Sequence, residues 1–239
     1  MLELLNLENV LFLDIETVPM VPSYEELPLN YKKHWDRKAD FMPRRPEDTP
    51  KEMFARAGIF AEFGKVICIS VGSMKYSEGR NTFKLKSFYG DDEKVLLTEF
   101  VEMMNKHSSR KEPMLCGHNI KEFDIPFLSR RLMVNGIRFP SLLDLAGKKP
   151  WEVSHMDTME LWKFGDYKNF TSLDLLATIF NIPTPKDDID GSDVARVFYE
   201  EKNIERIKTY CQKDVVTVAQ LMLKYQGKPL IKEEDISVA

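Results

Sequence analysis

The feature that most constrains this 239-residue chain is VLFLDI at residues 10–15, with Glu16 directly after it. A short, nearly unbroken apolar run is the pattern of a strand buried on both faces. Such a strand needs a packed layer on each side of its sheet. Within it Asp14 and Glu16 are two residues apart, so their side chains share one face. A chain that aims two carboxylates out of the end of a buried strand must give them a partner.

The remaining elements follow from period and punctuation. KVICISVGSMK (65–75) and TFKLKSFYG (82–90) flank a Gly-bearing turn and predict an antiparallel pair. DDEKVLLTEFVEMMNKH (91–107) predicts a helix with acids in its first turn. PMLCGHN (113–119) is a short apolar run ending in polar residues, and DIPFLSRRLMVNG (124–136) a helix stopped by Gly136. Residues 152–161 read as strand running into helix, and 171–182 as a helix capped by Thr171 or Ser172. Residues 191–227 predict one helix, capped at Ser192, and then a longer one ending near Gly227. This order predicts an α/β domain, a mixed sheet with helices on both faces. Residues from about 20 to 60 are rich in proline and mixed charge. They read as a partly helical insertion in one domain spanning 1–239, with Trp35, Phe41, Phe54 and Phe60 available for packing.

Three stretches deliver acids from the ends of apolar elements. The first strand carries Asp14 and Glu16, GHNIKEFD carries Asp124, and YCQKD carries Tyr210 and Asp214, one helical turn apart. Taken singly, each has a plainer use: a turn acid, a helix cap at Asp124, a packed tyrosine beside a solvated acid. Taken together they predict four carboxylates and a phenol around one pocket. Like charges at close range raise one another's pKa, and a divalent cation relieves the conflict. An all-oxygen set favours Mg²⁺ or Mn²⁺ over zinc. Two such ions about 3.5–4 Å apart suit in-line displacement at phosphorus.

D-I-E at 14–16, N-x3-F-D at 119–124 and Y-x3-D at 210–214 resemble, in order, the three motifs of the DEDD 3′–5′ exonucleases. The spelling of GHNIKEFDIPFL and YCQKD is closest to the proofreading domain of family B DNA polymerases. SLDLLATIFNIPTPKDDIDGSDVARVFYE is similar to the stand-alone predicted exonucleases related to that domain. The likeness runs from about 10 to 225. It implies an RNase H-like fold with a five-stranded mixed sheet, and release of nucleoside 5′-monophosphates from a 3′ end with two divalent ions. It makes Asp14, Glu16, Asp124 and Asp214 metal ligands and Tyr210 the residue that positions the attacking water. The related branch has a histidine five residues before the last acid; here Thr209 stands there, so the chain resembles the tyrosine branch. The same likeness makes Asn119 a contact to the terminal nucleotide. Thr17 is a candidate contact to the 3′ end, and Phe123 either stacks on a base or packs under the site. Lys121, Arg130, Arg131 and Lys186 read either as a basic lining or as solvated surface charges, His118 as a satisfied loop histidine ahead of a phosphate contact, and Asp157 as a residue supporting the site. Asp187, Asp188 and Asp190 read as a polar loop.

Composition limits the partners. The net charge is -4, so any hold on nucleic acid needs a local cationic groove. Three scattered cysteines fit neither a disulfide framework nor a zinc site and suit a reducing cytoplasm. No run is long enough to span a bilayer, and the acidic start does not read as a secretory signal. The expected substrate is single-stranded DNA or a frayed 3′ end. Short RNA, a catalytically silent nucleic-acid-binding module and a small-molecule phosphatase are the competing readings.

Overall fold

A computed structural model describes every residue except Met1, Arg44, Pro46, Glu78, Tyr167 and 184–188. The apolar run becomes strand β1 (Val10–Pro19). After it come helix α1 (Leu29–Asp40), strands β2 (Gly64–Ser77) and β3 (Arg80–Tyr89), helix α2 (Glu93–Ser108), strand β4 (Met114–Gly117) and helix α3 (Asp124–Val134). Strand β5 (Met156–Asp157) leads into helix α4 (Thr158–Lys163). Helices α5 (Leu173–Ile179), α6 (Val194–Tyr199) and α7 (Ile204–Tyr225) and strand β6 (Ile236–Val238) complete the order.

The strands form one mixed sheet in the order β5-β4-β1-β2-β3-β6. β1 pairs antiparallel with β2 and parallel with β4, and β5 extends the parallel edge. The family likeness implied five strands and the sheet has six. The extra one, β6, lies parallel to β3 with Ile236 opposite Phe83. The architecture is otherwise that of the RNase H-like expectation.

Alternation along β1 divides the core. Leu11, Leu13 and Ile15 face α2 and α3, among Phe100, Met104 and Leu128. Val10 and Phe12 face α7, among Val215, Val218 and Met222. Each fully buried side chain of this size contributes roughly 1.5–3 kcal/mol. The helices have local causes. Asp92 caps α2 by accepting from the amides of Lys94 and Val95. Asn203 caps α7 by accepting from Arg206, and Gly227, at φ 65°, ends it. Ser172 caps α5, as predicted. Ser192 does not cap α6: its hydroxyl and amide both go to Asp190, and the helix starts after Asp193.

The insertion is packed. It holds α1 and a 3-10 helix at Glu52–Ile59, so it is partly helical as expected. Trp35 is fully buried and donates to the Pro50 carbonyl, with Phe54 and Phe63 edge-on to its ring at 5.4 and 5.2 Å. Among the described residues no helix is long and apolar enough to cross a membrane.

A buried ion pair ties the layers together. Arg131 on α3 donates from Nε and Nη2 to Glu93 of α2, at 2.8 and 2.6 Å, and from Nη1 to the Ala61 carbonyl. Glu93 also accepts from the Val66 amide of β2. Arg131 is therefore a structural residue and not part of a substrate lining. Arg131→Met is expected to cost about 3–5 kcal/mol, because it leaves a buried carboxylate without its counter-charge. Adding Glu93→Gln is expected to restore part of that loss. Urea unfolding of the single and double variants measures both.

Candidate active site

The site sits at the carboxyl ends of the parallel strands β1, β4 and β5. Asp14 and Glu16 stand on the face of β1 that looks toward α7, the same face as Val10 and Phe12. A register shift follows at once: Glu16 is opposite Cys68, but Thr17 is opposite Val66. The extra residue, Ile67, is on β2, and such a bulge bends β2 and sharpens the local twist beside the acids, with pairing to β1 resuming through Pro19. β4 meets β1 only as far as Phe12. Past that point the Ile15 amide donates instead to Oδ1 of Asp124, at 3.2 Å. Asp124 is the first residue of α3, so its carboxylate latches onto β1 and does not cap its own helix. α7 runs along the other side. Asp14, Glu16 and Cys211 bring one potential ligand atom each within 4.8 Å of one another.

The electrostatics record how closely the acids gather. Burial pushes the Asp14 carboxyl well above the usual range; Asp214, Glu16 and Asp124 add to the push, and a hydrogen bond from Cys211 opposes it. Burial also raises Glu16, with Asp214 the largest neighbouring charge and Asp124 contributing. Asp124 is pushed up to about 7, mainly by burial, against the bond from Ile15. The fold thus brings together Asp14, Glu16, Asp124 and Asp214, which span 200 residues of sequence. Oδ2 of Asp14 is buried without a partner among the described residues. A buried, unpartnered carboxylate oxygen among other carboxylates fits a hard divalent cation. The Cys211 thiol does not change that preference. It donates to the Asp14 carbonyl at 3.4 Å, and burial holds its pKa well above normal, so it stays a protonated donor. Tyr210 is half-buried against the cluster formed by Ile207, Cys211 and α6, one turn before Asp214.

The loop between β4 and α3 is held by a residue from another strand. Asp157 accepts from the Asn119 and Lys121 amides at 2.9 and 3.1 Å. It also caps α4 through the amides of Met159 and Glu160. Gly117 permits the loop to start there: a Cβ would lie 2.8 Å from both the Leu13 carbonyl oxygen and Ile120. Asn119 then takes a left-handed backbone, φ 61°, which asparagine tolerates. Its side-chain Oδ1 is buried without a partner among the described residues. His118 does not reach toward phosphate. Its Nε2 donates to the Thr171 carbonyl and its Nδ1 meets the Thr158 hydroxyl, with burial lowering its pKa.

A family model described as a predicted 3′–5′ exonuclease related to the exonuclease domain of PolB matches residues 59–230. The chain belongs to this family. Comparison with curated proteins gave no match. The stretch shared with the exonuclease-related family includes Asp124, Tyr210 and Asp214 but begins after Asp14 and Glu16. Those two acids enter the site through the pairing of β1 in the sheet.

The remaining candidates separate. Phe123 packs on the core, with its ring 5.6 Å from that of Phe127. Thr17 is half-buried just past the bulge. Lys121 lies beside the loop and pairs with Glu160 at 2.7 Å. Arg130 is exposed on α3. Lys186, Asp187 and Asp188 lie outside the described residues. Asp157, a sequence candidate for supporting the site, holds the loop. One supporting residue was harder to see. Cys211, next to Tyr210 in YCQKD, is turned by one helical step onto the face that meets β1.

The raised carboxyls set a pH dependence. Unfolded carboxyls ionise near 4, roughly, and folded Asp124 near 7, so the folded state holds extra protons between these values. Stability without divalent cations is therefore expected to fall as pH rises through that window. Asp124→Asn is expected to unfold several degrees higher than the parent protein in EDTA at pH 8, with the gap closing toward pH 4.5. Thermal unfolding across that range is the measurement; parallel curves would remove Asp124 from the buried cluster.

Proposed function

We propose that this chain is a divalent-cation-dependent 3′–5′ exonuclease that hydrolyses the terminal phosphodiester of single-stranded DNA and releases nucleoside 5′-monophosphates. The observation that carries this reading is the convergence of Asp14, Glu16, Asp124 and Asp214 around the unpartnered Asp14 oxygen, in a chain of an exonuclease-related family. Asp14, Glu16, Asp124 and Asp214 would hold Mg²⁺ or Mn²⁺. Two such ions would activate the attacking water and stabilise the leaving 3′ oxygen.

The chain's own residues supply position. Tyr210, half-buried on α7 one turn before Asp214, orients the water by hydrogen bonding. A phenol with a pKa near 10, roughly, is a poor base by itself, so its role is alignment. Asn119, held by Asp157, presents its amide to the terminal nucleotide. Water oxygen bonds to phosphorus as the bond to the 3′ oxygen breaks. The shortened strand keeps a 3′ hydroxyl, and the released nucleotide keeps its 5′ phosphate. Asp157 acts through the loop and does not touch the reacting atoms.

A 5′-labelled single strand incubated with the protein and Mg²⁺ or Mn²⁺ is expected to shorten stepwise, and EDTA to stop it. Asp14→Ala and Asp214→Ala should abolish shortening while retaining the circular-dichroism spectrum of the parent. Tyr210→Phe is expected to lose about 10- to 100-fold in rate, the scale for a group that orients a reacting partner. Equal cutting of a circular strand would overturn the end specificity. Parallel reactions on RNA of the same sequence decide which sugar is accepted.

A further inference from the structure

Beside the candidate site lies an open groove of about 820 Å³. It begins at Lys121 and Asp157, the two residues that join the Asn119 loop to α4. Its apolar floor includes Ile125, Leu143 and Met159, and Lys163 lies on its wall. Three exposed aromatic rings belong to chain segments that line it or adjoin its lining. Trp151 is 78% exposed, Phe164 88% and Phe170 68%. Rings this exposed are not held by the core. Each is tied to the groove in a different way.

Trp151 lies between Lys148 and Val153, which both line the groove, and Lys149 Nζ is 5.3 Å from its ring centre. Phe164 sits between Lys163 and Gly165, again both lining residues, in a left-handed backbone with φ 45°. Lys163 Nζ lies 4.4 Å from the centre of the Phe170 ring. Phe170 precedes Thr171, whose carbonyl accepts from His118, and His118 precedes Asn119. The rim is therefore continuous with the loop that carries Asn119 and Asp124.

We propose that this rim is a stacking platform for the nucleotides that precede the 3′ end of a single strand, with bases on Trp151, Phe164 and Phe170 and phosphates on Lys149 and Lys163. The inference rests on the exonuclease reading of the acidic pocket and extends it to several nucleotides upstream. Exposed rings with ammonium groups beside them match a strand that alternates flat bases with phosphates. A protein of net charge -4 has to place such cations locally to hold a polyanion. A polypeptide would use the apolar floor, but it would not need a lysine beside each of two exposed rings.

Tryptophan fluorescence tests this in EDTA, where no cutting occurs. Trp35 is fully buried and Trp162 is packed between Phe180 and Tyr225, so Trp151 is the indole that a base reaches from solvent. Titration with oligothymidylate dT12 is expected to quench emission, and Trp151→Ala to abolish the quench. The Phe164→Ala/Phe170→Ala variant should weaken dT12 binding by about fivefold or more, the scale of losing stacked bases. The parent protein should bind dT12 more tightly than dT3, and that length preference should disappear in the variant. Lys149→Ala/Lys163→Ala should flatten the dependence of log K on log salt by about 1.4. Unchanged dT12 affinity, length preference and salt slope in these variants would overturn the platform, even with stepwise 3′ shortening confirmed. Rim-dependent dT12 binding without any shortening in Mg²⁺ or Mn²⁺ would retain the platform and overturn the exonuclease reading.

Discussion

Negative charge that water cannot reach is the constraint around which the molecule is arranged. Asp14 and Glu16 stand on a strand whose faces are both covered, and Asp124 and Asp214 press their charges on them from α3 and α7. Among the described residues, no lysine or arginine is among the groups that shift Asp14, Glu16 or Asp124. The arrangement is costly while all four acids are ionised, and only surrounding structure can hold it. That structure is visible. The shortness of β4 frees the Ile15 amide for Asp124, the bulge on β2 shifts the register beside Glu16, and the Cys211 thiol pins the Asp14 carbonyl to α7. A divalent cation turns the same repulsion into affinity.

The supports are of two kinds. Polar ones use buried charges that are fully matched: Glu93 with Arg131, and Asp157 with four backbone amides. Apolar ones come from the two layers against the sheet, and from the insertion. The insertion leaves β1 where the acids end and returns to the sheet at β2, with its core around Trp35. Tyr199 of α6 donates to the Pro19 carbonyl and fastens the same strand end from the helical side. The site is thus framed at the point where β1 leaves the sheet, so small shifts there would be felt by both Asp14 and Glu16.

Much of this was legible before any coordinates. A run such as VLFLDI has few physical solutions, and the long strands 64–77 and 80–89 and the helices α2, α3 and α7 carry strong periodic signals. The acids were legible because strand and helix periods place them on common faces. Other features were not. β6 is three residues long and owes its place to its neighbour β3, which no periodicity reveals. Arg131 looked like a surface charge because sequence does not show that Glu93, on another helix, meets it in the core. Ser192 has the chemistry of a cap, yet Asp190 captures it first. His118 read as a satisfied loop histidine, but only the fold names its partners, the Thr158 hydroxyl and the Thr171 carbonyl. In each case the deciding partner is distant or competing, and local propensity is blind to it.

The order of the acids along the chain has a consequence for biosynthesis. Asp14 and Glu16 are made before Asp124, and Asp214, in the middle of α7, comes after all three. The sheet can begin to assemble while the last acid is still unmade. A nascent chain can therefore bury its first three acids and still lack the fourth wall of the cluster. Until α7 has been made, such a polypeptide cannot present the complete set of four carboxylates, whatever the rest of the sheet has done.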